Sequence, residues 1–162
     1  MKTHVIAVLF LLSTQVWAEF RAGAAKVDIT PKVWPVQLVG SFHERLADKA
    51  HDPLYARAVV CDDGQTRLAI VIVDNCLIGR NYLDRAKALA AQRTKVRADR
   101  ILVAATHTHN APNLTGYASV LWAGRMNDAQ KKNQAKYTAF ALDQMEAAVV
   151  AALKARQPME LD

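Results

Sequence analysis

The chain has little cysteine: Cys61 and Cys76 are the only two in 162 residues. No Cys-x-x-Cys pair exists, which excludes a thioredoxin-like redox motif and a structural zinc site of that type. A hairpin predicted to turn at residues 62–65 places Cys61 opposite about residue 68 and Cys76 opposite about residue 53, so the two thiols lie apart along the ribbon. We therefore expect two buried free cysteines and no disulfide.

The chain also lacks the roughly 18 uninterrupted apolar residues that a membrane-spanning helix needs. Its start instead has the layout of a secretory signal peptide, with a basic residue, an apolar run over 5–12 and a small residue at Ala18. We expect cleavage after Ala18 and a secreted or periplasmic mature chain, residues 19–162. The formal net charge then falls from +6 to +5, because Lys2 is removed.

The positive charge of the chain is spread out. Basic residues within 80–100 and 131–156 fall on predicted helix faces, without the clustering or interleaved aromatic residues of a nucleic-acid groove. We expect no nucleic-acid partner, whereas peripheral contact with an anionic membrane surface stays open. The sequence shows no internal repeat, low-complexity tract or linker.

Hydrophobic periodicity predicts an α/β fold, a mixed sheet with packed helices. Short apolar runs bounded by turn residues indicate strands, and 3.6-residue spacing indicates two amphipathic helices. The predicted elements are an edge strand at 24–31, a long surface loop at 32–53, two central hairpin strands at 54–61 and 67–74, a helix at 80–95, a strand at 100–106 and a helix at 127–156.

The second helix, 127–156, has a long apolar stripe that we interpret as core, and it needs a partner for that face. The residues after it predict the start of a new strand, close to the last residue. These features predict an incomplete portion of a larger catalytic domain, with further sequence or another subunit covering the helix.

Two histidines, His107 and His109, follow the apolar strand and precede a loop containing Pro112. Residues two apart in a strand share a face, so both imidazoles can reach one metal ion or one substrate group. The spacing alone is weak evidence, and two polar residues capping a strand are the alternative. A metallo-β-lactamase-type motif is disfavoured, since it would continue with an aspartate and another histidine, where this chain has Asn-Ala-Pro.

Several motifs together give the chain a family resemblance. They are AGAAKVDITP at 22–31, Gly40, HDPLYARA at 51–58, the strand ending at Asp74, and ATHTH at 105–109. In this order and spacing they resemble the N-terminal part of the catalytic domain of neutral/alkaline non-lysosomal ceramidases and their broader bacterial relatives. The resemblance covers the whole mature chain, residues 19–162.

The resemblance implies a zinc-dependent amide hydrolase that cleaves an N-acyl linkage, in ceramidases the bond between fatty acid and sphingoid base. It implies that His107 binds Zn²⁺ and that His109, beside the metal, takes part in proton transfer or oxyanion stabilisation. Asp74, at the end of its strand, is a candidate hydrogen-bond partner of a metal ligand, and an ordinary strand-end carboxylate is the alternative. His43 and His51 do not match a ligand position, and we interpret them as surface or structural residues.

Two departures limit the resemblance. Ceramidases commonly have a Ser-Gly-Pro-Gly-Gly-like loop after the second histidine, whereas this chain has NAPNL at 110–114, so the loop that meets substrate has changed. The remaining zinc ligands of the family lie downstream of this chain. The leading hypothesis is thus that the chain is the N-terminal segment of an exported ceramidase-like hydrolase and is inactive by itself. The alternative is that the chain is a short exported module that binds a ligand or weakly chelates metal.

Overall fold

The structure is a computed structural model that describes residues 19–116 and 125–160. The predicted signal peptide lies outside the described residues. Within the described part, no helix is long and apolar enough to cross a membrane. The strands are β1 (Arg21–Asp28), β2 (Val36–Gln37), β3 (Leu46–Ala47), β4 (Tyr55–Asp62), β5 (Arg67–Val73), β6 (Ile101–Ala105) and β7 (Gln157–Pro158); the helices are α1 (Arg80–Thr94), a 3₁₀ turn (Ala98–Arg100) and α2 (Asp128–Lys154).

A five-stranded sheet with the order β6-β5-β4-β1-β7 forms the centre of the fold. β5 and β6 run parallel, and the other neighbours are antiparallel, so the sheet is mixed as predicted. β4 and β5 are the predicted hairpin and lie inside the sheet. Cys61 pairs with Leu68, as the predicted hairpin requires, and both cysteines are free. Cys76 is buried as predicted, whereas Cys61 is only partly buried.

Both helices pack on the same face of this sheet. Alternate side chains of the inner strands point to that face and are almost fully buried, among them Val60, Val71, Val73 and Val103. Because strand residues alternate faces, these side chains share the sheet face that lies under the helices. The core is therefore a helix layer over one sheet face, with β1 and β4 under α2 and β6 under α1.

The apolar stripe of α2 does not need an outside partner, and this expectation was wrong. Tyr137, Leu142, Met145 and Val149 are each 1% exposed, because α2 packs on the sheet and on α1. Within residues 19–116 and 125–160, a row of exposed apolar side chains lies on the other face of the sheet, where Val59, Ile70 and Leu102 are 43–55% exposed. The sequence did not indicate which sheet face is exposed, because strands with apolar residues at successive positions are also typical of sheets buried on both faces.

α2 starts and ends close to the predicted bounds of 127–156. Asn127 caps its start: the Asn127 side chain accepts from the backbone of Gln130, whose side chain in turn accepts from the backbone of Asn127. This reciprocal pair satisfies two otherwise unpaired backbone donors. After the helix, Arg156 forms an ion pair with Asp62 at the β4–β5 turn and fixes the helix end against the sheet.

Two local predictions need correction. β1 ends at Asp28, three residues before the predicted bound, because the Asp28 carboxylate accepts from Thr30 N–H at 2.6 Å and turns the chain there. The segment 32–53 is not wholly a surface loop, since β2 and β3 pair within it and Val36 is only 2% exposed. Strands of two residues carry no detectable periodicity, so the sequence could not indicate them.

Candidate metal centre

The histidine pair lies just past the end of β6, in the loop that leaves the sheet. His107 has a left-handed backbone, with φ of 65°, and its N–H donates to the carbonyl of Asn75 at 2.9 Å. A non-glycine residue in this region is uncommon and is often found at functional sites. The turn places both imidazoles at the edge of the sheet, where they are exposed.

The His107 ring has a defined tautomer. Its Nδ1 is 3.0 Å from the carbonyl oxygen of Cys76, and a carbonyl oxygen can only accept a hydrogen bond. Nδ1 therefore carries the proton, which leaves the Nε2 lone pair of the neutral ring free. Histidines that bind metals are commonly held in this way, with the second ring nitrogen donating to a carbonyl or carboxylate.

The free nitrogen of His107 faces His109. The two Nε2 atoms are 3.4 Å apart, and the rings meet edge to face with centroids 5.0 Å apart. Two nitrogens bound to one tetrahedral zinc ion at 2.0–2.1 Å lie about 3.3–3.4 Å from each other. The pair thus fits a single zinc ion, either with both rings as ligands or with His109 beside a metal that His107 holds.

A third potential ligand, Cys76, was missed in the sequence. One ligand atom from each of Cys76, His107 and His109 lies within 4.8 Å of the other two. Cys76 is 3% exposed, and burial raises the pKa of its thiol. The thiol forms the floor of the site, whereas the imidazoles form its exposed rim. No spacing rule links residues 31 positions apart, so only the pairing of β5 with β6 reveals the cluster.

Gly40 makes room for His109. A Cβ atom at position 40 would lie 2.4 Å from Cγ and 2.8 Å from Nδ1 of the His109 ring, well inside contact distance. Gly40 also has φ of +88°, a conformation that glycine adopts without strain. The early segment 32–53 therefore forms one wall of the histidine site.

Gly40→Ala should displace the His109 ring and lower the affinity for zinc by about 10- to 100-fold, the loss typical for a disturbed support of a metal ligand. The measurement is a competitive zinc titration of the purified chain. Gly64→Ala is the matched control, because Gly64 also has a positive φ, of 84°, but lies in the β4–β5 turn. An equal loss of zinc affinity in both variants would show that backbone strain at a glycine with positive φ causes the loss, and not the contact with the His109 ring.

Two polar side chains hold the histidine loop in place. Arg45 donates to the carbonyls of His109 and Val39 and to Oδ1 of Asn110, which joins segment 32–53 to the loop. On the other side Asn75, 1% exposed, donates from Nδ2 to the carbonyl of Pro112 at 3.0 Å. The loop is therefore fixed at both of its ends, and this limits the freedom of the two imidazoles.

The other predicted site residues lie apart from the imidazoles. The Asp74 carboxylate accepts from Arg57 at 2.8 Å and from the N–H of Tyr55 at 2.9 Å, whereas the His107 ring donates to the carbonyl oxygen of Cys76. A role of Asp74 beside the metal stays a prediction.

His43 and His51 do not belong to the cluster of possible metal ligands in the described part of the chain. The hydrogen bond to Asp52, together with its charge, raises the pKa of His51. The His51 side chain is 95% exposed, in keeping with a surface residue.

A cleft of about 510 Å³ adjoins the histidine loop. Thr108 and Asn110 of the loop line it, together with Trp34, Lys49 and His51 of the preceding segments. His107 and His109 are not among its lining residues, so the cleft borders the site without containing the imidazoles.

Comparison with known proteins bears on the fold. No protein-family model matches the chain, and no curated protein sequence matches it. Among solved structures, neutral ceramidase from Pseudomonas aeruginosa matches with a TM-score of 0.67 and 23% identity, and a ceramidase complexed with C2 matches with 0.65 and 24%. Each match covers 87% of this chain and 22% of the other. The predicted resemblance is confirmed for the fold: the chain has a ceramidase-like α/β architecture that spans about 22% of the length of neutral ceramidase.

Proposed function

We propose that the chain supplies part of the active site of an exported zinc-dependent amide hydrolase, which cleaves an N-acyl linkage in a lipid such as ceramide. The observation that carries the proposal is the 3.4 Å separation of the two Nε2 atoms, with the His107 tautomer fixed by the Cys76 carbonyl. Two further supports are the ceramidase-like fold and the signal-like start of the sequence, on which export rests.

The roles of the residues follow from their geometry. His107 would hold zinc through Nε2, because its Nδ1 proton is engaged. Bound zinc lowers the pKa of water towards neutrality and polarises a carbonyl group, which suits attack on an amide. His109, whose Nε2 lies 3.4 Å from that of His107, would give a proton to the departing amine. We infer that the further ligands come from additional polypeptide or another subunit.

The proposal is tested on the native product isolated from its source. We expect fatty acid to be released from an N-acyl sphingoid base, lost with a zinc chelator and restored by zinc, and an intact mass well above that of residues 19–162. Hydrolysis that survives complete removal of the metal would contradict the zinc mechanism. Absence of both zinc and hydrolysis would contradict the proposal as a whole.

A ligand-binding or metal-binding module without catalysis is the second candidate. The observation in its favour is that the described residues offer only three possible ligands at the site, and no carboxylate among them. Stoichiometric zinc in a native product of about the mass of residues 19–162, with no hydrolysis of any N-acyl amide tested, would support this candidate.

A further inference from the structure

We propose that a basic pocket beside the β4–β5 turn binds a phosphate group, either free or as part of a lipid headgroup. This pocket lies away from the histidine pair, because one of its residues, Arg100, precedes β6, whereas His107 follows that strand. The length of β6, roughly 15 Å, separates the two places. The proposal therefore concerns a second binding site and does not depend on the zinc chemistry.

The basic pocket has a volume of about 180 Å³, and half of its eight lining residues are cations. Arg67 comes from β5, whereas Lys95, Arg97 and Arg100 come from the connection between α1 and β6. Only the parallel pairing of β5 with β6 brings these segments together, so the sequence did not indicate the cluster. A pocket of this size admits a small charged group, since pockets for drug-sized ligands begin at about 300 Å³.

The segment that carries two of these cations is anchored. Lys95 ends α1 with a left-handed backbone, φ of 61°, and its N–H donates to the carbonyl of Ala91 at 3.0 Å. Val96 follows, is 1% exposed and belongs to the hydrophobic core. Glycine is the usual residue at a left-handed helix end, because it adopts this conformation without strain. The lysine thus brings a cation to the pocket at a position where the backbone favours glycine.

Much of the positive charge in the pocket is free to bind an anion. Lys95 and Arg100 form no ion pair and no side-chain hydrogen bond with another residue in the described part of the chain. Arg67 donates only from Nε, to the Asp62 carboxylate at 2.8 Å, which leaves both of its Nη groups for a ligand. Asp62 also pairs with Arg156, so its charge is already compensated.

The balance of charges suits a dianion. Arg97 donates from Nε and Nη2 to Asp99, and its Nη1 has no partner within the described residues. The four lining cations and Arg156 are five positive charges, whereas Asp62, Asp63 and Asp99 are three negative ones, which leaves a net charge of +2. A phosphate ester carries close to two negative charges at neutral pH. Guanidinium groups bind its oxygens by paired N–H bonds, and a lysine adds a point charge.

Inorganic phosphate is the first probe, followed by ¹⁵N-labelled chain, residues 19–162, in nuclear magnetic resonance spectra. We expect saturable shifts of the backbone amides of Gly64, Lys95 and Arg97 as phosphate is added, with chloride keeping the ionic strength constant. Absence of a saturable shift at these amides would overturn the proposal. Equal shifts at basic residues along α1 and α2 would also overturn it, because they would indicate general screening of charge. These results need only the wild-type chain.

A double variant, Lys95→Gln with Arg100→Gln, tests the two unpaired cations. It should weaken phosphate binding by at least about 10-fold, because two charge-assisted contacts are lost. Arg85→Gln with Lys132→Gln is the matched control. It removes the same charge from exposed positions on α1 and α2 that do not line the pocket, and it should bind phosphate as the wild type does. An equal loss in both double variants would overturn the assignment to the pocket.

Vesicles distinguish the two sources of the phosphate group. The chain is sedimented with phosphatidylcholine vesicles that contain phosphatidic acid, and with vesicles of phosphatidylcholine alone. Sedimentation with the first kind only, lost in Lys95→Gln with Arg100→Gln, would identify a lipid headgroup. Binding of inorganic phosphate without sedimentation would identify a free phosphate or a small phosphate ester. Sedimentation that this variant keeps, with no shift by inorganic phosphate, would overturn the proposal.

Discussion

Replacing His107 with alanine is expected to abolish zinc binding, with a loss of affinity of about 100-fold or more. Two effects add in this variant. The Nε2 donor disappears, and so does the ring that packs edge to face against His109 at a centroid distance of 5.0 Å. Because the backbone N–H of residue 107 still donates to Asn75, the loop should keep its path. The measurement is zinc stoichiometry by elemental analysis, supported by competitive titration.

His51→Ala is the control for this prediction. It removes an exposed imidazole of the same chemistry that pairs with Asp52 and lies outside the cluster of possible metal ligands. Zinc content should stay at the wild-type value in this variant. Wild-type occupancy in His107→Ala would show that His107 does not bind the metal, and the assignment of the site to the histidine pair would fail.

The largest expected effect on stability comes from Gly23→Ala. Gly23 lies in β1 where α2 ends, and a Cβ there would be 2.3 Å from the carbonyl oxygen of Ala152 and 2.6 Å from the backbone N of Arg156. Both are backbone atoms, so a side-chain rotation cannot relieve the contact. The helix end would have to move off the sheet, and we expect the free energy of unfolding to fall by at least about 1–3 kcal/mol, the usual cost of overpacking.

Urea unfolding of the two glycine variants checks this prediction. Gly79→Ala is the control, because the nearest atom to its added Cβ is the amide oxygen of the exposed Asn81 at 2.8 Å, which can rotate away. The φ of −59° at Gly79 also suits alanine. A stability of Gly23→Ala equal to that of Gly79→Ala would mean that the close approach of β1 and α2 is not a feature of the folded protein.

The long elements could be predicted from the sequence because each repeats its pattern several times. α1 and α2 show the helical spacing over four or more turns, and the turn around Gly64 separates two strands that are rich in apolar and β-branched residues. Their bounds differ from the prediction by at most two residues. Which sheet face lacks a cover could not be predicted, because Ile70 and Val71 are equally apolar and only the placement of the helices distinguishes them.

The candidate site was predictable only in its local part. His107 and His109 share one motif, so their proximity could be predicted, but the rule that residues two apart in a strand share a face does not apply, because both lie past the end of β6 and His107 has a left-handed backbone. The groups that position them come from other segments: Arg45 is 64 residues from His109, and Cys76 is 31 residues from His107. Contacts of this kind depend on loops that meet across the sheet edge, and such loops have no periodicity from which to infer them. Gly40 belonged to the resemblance, but its contact with His109 is visible only in three dimensions.

The contact between Gly40 and His109 has an evolutionary consequence. A side chain at position 40 and an imidazole at position 109 compete for the same space, since the added Cβ would lie 2.4 Å from the ring. Related sequences should therefore show covariation between the two positions, with residues larger than glycine at the first accompanied by residues smaller than histidine at the second. A homologue that keeps both histidines but carries a valine or leucine in place of the glycine would have a rearranged site, even at high overall identity.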